Sequence, residues 1–141
     1  MEITINISVE ELSKLMSQHS VPMKRNREDI SVDARWFDEN ATGWTKNQEI
    51  NHVFLCQQER YANEKLRAQG YLFLNDVYDM LGFKRTARGQ VLGWIYNKHN
   101  PVGDNYVDFG LNEPRNRGFV NGYKKSILLD FNVDGDILWY L

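Results

Sequence analysis

The sequence predicts an α+β fold: a single domain in which a long helix packs on an antiparallel sheet, preceded by a short N-terminal strand-helix arm. Three observations carry this expectation. Apolar residues recur at helical spacing through residues 46–69, the period shortens to two from about residue 90, and Gly- and Asn-rich turns separate the later segments. Helices in one half and sequential strands in the other bury their apolar faces together when the helix covers one face of the sheet.

Ile3, Ile5 and Ile7 alternate with polar neighbours, as in a strand. Ser8 stands three residues before Glu11, a capping box that opens a short helix with Val9, Leu12, Leu15 and Met16 on one face. Pro22 ends this unit, and the mixed charges of Lys24 to Asp29 read as a solvated connector. Residues 1–30 are therefore assigned to the arm and connector, and residues 31–141 to the α+β domain. The arm, residues 1–20, suits pairing with a second copy as a homo-oligomer contact.

Thr45 precedes Gln48 by three and Gly70 supplies a stop, which predicts a helix over residues 46–69 with Ile50, Val53, Phe54 and Tyr61 toward the core. Cys56 is expected as a small buried residue of this helix. The apolar YLFL reads as buried chain entering the core. Asn75 then caps a short helix, NDVYDML, which Gly82 ends. Strands are expected over residues 90–96, 105–111, 126–133 and 137–141, the last two joined by a tight turn at Asp134-Gly135.

Composition bounds the function classes. Hydrophobic residues make up 42% and charged residues 26% of 141, a balance that buries a core without staples. A net charge of −2 excludes general nucleic-acid coating, which needs a clear Lys/Arg excess. The single Cys56 leaves no internal disulfide and fits a reducing compartment. The N-terminal stretch lacks a basic n-region and no window reaches 18 uninterrupted apolar residues, so neither secretion nor a membrane partner is expected.

Chemistry is sparsely signalled. Asp130, Asn132, Asp134 and Gly135 match the opening of a calcium loop, but its twelfth position, where a bidentate glutamate belongs, is Leu141. Neither a metal nor a cofactor is implied. Lys84, Arg85 and Arg88 precede a strand holding Trp94 and Tyr96, a pairing of cations and aromatics suited to a nucleotide. The segment Asn100 to Gly110 adds Asp104, Tyr106 and Asp108 as a second rim of this candidate ligand site. Asp104 and Asp108 beside His99 are the residues an acid/base enzyme would use, although no nucleophile or second histidine accompanies them.

The motifs YLFLNDVYDMLGF, GQVLGWIY, NPVGDNYVDFG and GFVNGYKKSILLDFNVDG resemble a family of uncharacterised proteins encoded by bacteriophages and prophages of Gram-positive bacteria. The resemblance runs from about Arg35 to the C-terminus. Longer members carry a hydrophobic, membrane-associated segment ahead of this domain, where this chain has MEITINISVEELSKLM. The resemblance implies a phage origin and brings no residue roles with it. Together with the sparse chemistry it leads to an expected function. The protein is read as non-enzymatic, working in the cytoplasm of an infected host cell by binding a host defence protein or a nucleotide signalling molecule. A virion structural or assembly accessory, and a small hydrolase or nuclease using Asp104 and Asp108, are the alternatives.

Overall fold

The computed structural model describes residues 30–141; the predicted arm and the charged connector lie outside the described residues. The fold is α+β, with all strand pairs antiparallel. In chain order it comprises β1 (Arg35–Phe37), α1 (Gln48–Gln69), β2 (Tyr71–Phe73), α2 (Leu74–Leu81), β3 (Leu92–Ile95), α3 (Arg117–Val120), β4 (Ile127–Leu129) and β5 (Gly135–Asp136). The strands form two small sheets, β1–β4 and β2–β3–β5.

α1 starts where its cap chemistry directs, two residues later than expected. Asn47 is the N-cap, its side chain accepting the Ile50 N–H, while Thr45 instead holds Asn51 through its hydroxyl and both of its backbone groups. Gly70 ends the helix at φ 86°, a left-handed conformation that disfavours any side chain, and its N–H takes the Leu66 carbonyl. The chain turns at once into β2. Asn75 is not a cap as expected: Phe73 occupies that position, and Asp76 accepts the Phe73 N–H. Asn75 is buried inside α2, where its carboxamide binds both backbone groups of Thr86.

The buried face of α1 is Asn51, Leu55, Ala62 and Leu66, which overturns the expected one. Ile50, Val53 and Tyr61 are 56%, 61% and 44% exposed, and Phe54 alone of the predicted four packs against the core, stacked on Phe37. Cys56 also lies on the exposed side. The physical reason is that the packed face carries an amide satisfied by Thr45 and a small Ala62, which let neighbouring chain approach closely yet score poorly as apolar anchors.

The expected strand at 105–111 buries Val107, Phe109 and Leu111 but joins no ladder, and the buried Gly110, at φ 77°, interrupts the extended chain before Leu111. Its Phe109 and Asp108 carbonyls accept the Asp130 and Asn132 N–H groups, and side chains take its own N–H groups. Asn63 accepts the Val107 N–H, Asn132 the Asp108 N–H, Glu59 the Phe109 N–H, and Asp108 the Gly110 N–H. The closing hairpin is also absent. Gly135–Asp136 pairs with Leu92 and Gly93 of β3, and residues 138–140 form a 3₁₀ turn. Asp134 explains this: its N–H donates to the Gly93 carbonyl while its carboxylate takes the Ile95 N–H, so the residue spans β3 and does not turn back on itself.

One core joins these parts. Leu55, Leu66, Leu72, Leu74, Tyr78, Trp94, Phe109 and Leu129 are all fully buried. Gly93 permits the close approach at its centre, since a Cβ there would lie 2.1 Å from the Leu72 carbonyl oxygen.

Candidate ligand-binding site

The residues that signal a ligand in the sequence divide: Trp94, Asp104, Tyr106 and Asp108 meet at Asn132, while Arg85 and Arg88 are paired to other carboxylates. Arg85 pairs with Asp79 on the surface, Nε to Oδ1 at 3.0 Å, and this partner holds the Asp79 carboxyl below its usual range. Arg88 makes a two-point contact with Asp33, at 2.9 Å on each oxygen. Lys84 is exposed. Trp94, expected beside these cations as a stacking surface, is fully buried, its indole N–H donating to Asn132 at 2.8 Å. A ring enclosed on both faces by core side chains has no face left to offer a ligand.

Asp104 and Asp108 converge on Asn132. Its carboxamide accepts the Trp94 indole and the Asp108 N–H, and donates to the Asp104 carboxylate and the Tyr106 carbonyl. All four hydrogen-bonding positions of this amide are thereby used. Asp134, beside them, accepts from Ile95 N and Asp104 N, and burial, with the Asp104 charge adding to it, pushes its carboxyl up to about 6. Glu59 is likewise raised by burial, partly offset by the Phe109 N–H it accepts and reinforced by Asp108. These acids act as acceptors that tie loops to helix and sheet. Among the described residues no group of three or more His, Cys, Asp and Glu side chains is placed to hold a metal ion.

Tyr96 leads to a different site. It borders an open cleft of about 510 Å³, within the range of roughly 300–1,000 Å³ of small-molecule sites. Four stretches of chain build it. Gln69, Gly70 and Tyr71 come from the junction of α1 and β2, Ile95, Tyr96 and Asn97 from the end of β3, and Val102, Tyr140 and Leu141 from the loop after β3 and the final 3₁₀ turn. The Tyr96 N–H donates to the Gly70 carbonyl at 2.9 Å, which fixes the left-handed turn against β3 and holds two walls together. No lining side chain is charged. The polar groups are three phenols and two carboxamides, of which Gln69 donates to the Tyr71 carbonyl and Asn97 accepts the N–H groups of His99 and Asn100.

Sequence reasoning reached only Tyr96 of this lining. By pattern Tyr71 belongs to chain entering the core and Tyr140 to a strand; the signal in the sequence is the spread of tyrosines at Tyr71, Tyr96 and Tyr140 at the ends of three separate elements.

A family model matches residues 1–141. The chain belongs to DUF6353, a family of unknown function. The match extends over the N-terminal stretch that precedes Arg35 as well as the domain described above. No curated protein and no solved structure matches the chain. Among the described residues of this DUF6353 member, no helix is long and apolar enough to cross a membrane.

Proposed function

We propose that this DUF6353 member is a phage- or prophage-encoded, non-enzymatic binding protein that captures a nucleotide signal of the infected host cell. The setting rests on the sequence resemblance. The mode rests on one observation: the tyrosine-lined cleft at the end of β3, whose side chains carry no charge and whose volume suits part of a small molecule. The neighbouring acids favour binding over acid/base chemistry, because Asp108 accepts the Gly110 N–H and Asp104 accepts from Asn132, contacts that serve the fold.

Thermal-shift measurements of the full chain against linear and cyclic nucleotides test this reading. A concentration-dependent rise in Tm is expected from a ligand that binds the folded state alone. No rise with any nucleotide at millimolar concentration overturns it. A turnover product that disappears in the Asp104→Asn, Asp108→Asn double variant would establish the hydrolase alternative instead.

Capture of a host defence protein is the second reading, favoured by the exposed apolar row Ile50, Val53 and Tyr61 along α1. Its check is a stoichiometric complex with a protein from infected cells that Val53→Asp and Ile50→Asp abolish. Recovery of the chain in purified particles would point to the virion accessory role.

A further inference from the structure

We infer that the cleft between Tyr71, Tyr96 and Tyr140 is a receptor for an uncharged planar nitrogen heterocycle of the nucleobase class, with any phosphate left outside it. This rests on the binding function proposed above and names which part of the ligand is held, where, and by which groups.

Charge decides which end of a nucleotide enters. A phosphate carried into the cleft loses water and meets no cation among the lining residues, a desolvation that nothing there offsets. A base carries no charge and presents π faces, which phenol rings accept with little regard to its identity. Tyrosines from three separate elements line one cavity here, although only Tyr71 has a described ring neighbour, Phe73.

The carboxamides match the edge of such a ring. Gln69 uses one N–H on the Tyr71 carbonyl, which orients the group and leaves its oxygen as an acceptor and its second N–H as a donor. Asn97 spends its oxygen on His99 N and Asn100 N, which leaves its amino group as the donor this side chain has to offer. A heterocycle edge that alternates ring nitrogens, carbonyls and exocyclic amines complements this mix of donors and acceptors. Exposed cations flank the lining in sequence, Arg67 in the last turn of α1 and Lys98 after Asn97, and these are the groups a phosphate outside the cleft would meet.

The probes are the four common ribonucleosides, their 5′-monophosphates, inorganic phosphate and a monosaccharide series, titrated into the ¹⁵N-labelled full chain. Binding of at least one nucleoside is expected, with amide shifts at Gln69, Gly70, Tyr71, Tyr96 and Asn97, and the monophosphate should bind more tightly than its nucleoside. Tyr140→Ala, at a residue 54% exposed, should weaken binding about tenfold or more while the rest of the spectrum is retained. Val102→Trp, which fills the cavity, serves as the second variant and should abolish binding. Saturable shifts with inorganic phosphate alone, or with monosaccharides and no nucleoside, overturn the inference. Nucleotide binding that moves resonances elsewhere overturns this site and leaves the proposed function standing. Absence of all nucleotide binding overturns both.

Discussion

The guanidinium of Arg88 closes a two-point ion pair on Asp33, 55 positions away, with both contacts at 2.9 Å. The two ends differ in surroundings, because the Asp33 side chain is 7% exposed and that of Arg88 is 58% exposed. The contact also fixes the segment before β1, where the Asp33 carbonyl accepts the buried Tyr78 hydroxyl at 2.7 Å. A cation that sequence reading assigned to a ligand is thus tied to a carboxylate withdrawn from water.

Removing one partner of a pair costs most when the other is left buried. Arg88→Met should therefore lower Tm more than Arg85→Met, whose partner Asp79 has a side chain 47% exposed. Thermal unfolding of the two variants side by side checks the order, and equal shifts would contradict it.

Asn132→Ala strands the Trp94 indole N–H and the Asp108 N–H. Each unsatisfied buried donor costs about 1–3 kcal/mol, so a loss of roughly 2–6 kcal/mol is expected by urea unfolding. The Trp94 indole resonance should move with it; a loss under 1 kcal/mol would mean that water or another group replaces the amide.

The two faces of α1 give opposite outcomes. Leu55→Ala should cost about 2–5 kcal/mol, as fully buried leucines do. Ile50→Ser and Tyr61→Ser should stay within about 0.5 kcal/mol in the isolated chain. Equilibrium denaturation distinguishes these faces, and a large loss at Ile50 would show that its apolar side is covered.

Asp134 predicts a pH dependence of definite sign. Its folded-state carboxyl, raised to about 6, binds a proton that the unfolded chain with an ordinary carboxyl has already lost between about pH 4 and 6. The contribution of this group to stability is present at and below about pH 4 and is lost as pH rises through about 6. At 1.36 kcal/mol per unit the full difference is about 2–3 kcal/mol, reduced toward about 2 because the group retains some solvent. The stability of the parent minus that of Asp134→Asn, followed from pH 4 to 7, should fall by about this amount; a flat difference would count against it.

Gly93→Ala tests the closest approach in the sheet. The added methyl would meet the Leu72 carbonyl oxygen at 2.1 Å and the Phe73 Cα at 2.9 Å, both backbone atoms that cannot move without breaking the β2–β3 pairing. A loss of about 3 kcal/mol or more, or failure to fold, is expected by circular dichroism.

Local physics made much of this fold legible in the sequence. A helix satisfies its backbone within itself, so capping residues and a left-handed glycine place α1 within two residues of the expected start and at the expected end. The alternation of Val107 and Phe109 likewise marks an extended chain with one buried side. Neither pattern identifies a partner. Phe109 N–H finds the carboxylate of Glu59 across 50 positions, and Val107 N–H finds Asn63 across 44, so polar residues on a helix take these N–H groups while the Phe109 and Asp108 carbonyls accept from the backbone of Asp130 and Asn132.

The candidate site divides along the same line. Lys84, Arg85, Arg88, Trp94, Asp104 and Asp108 stand out in sequence because charge and aromaticity are visible one residue at a time, but for most of them the use of each is settled by what lies opposite: Asp79, Asp33 and Asn132. The α+β class, the extent of the long helix and the place of β3 follow from periodicity and caps within a few residues of chain, and so can be read before folding. Which face of α1 is buried, that Asp134 bridges β3 in place of a hairpin turn, and that three distant tyrosines share one cleft depend on burial and hydrogen-bond partners set between segments that meet only when the chain is folded.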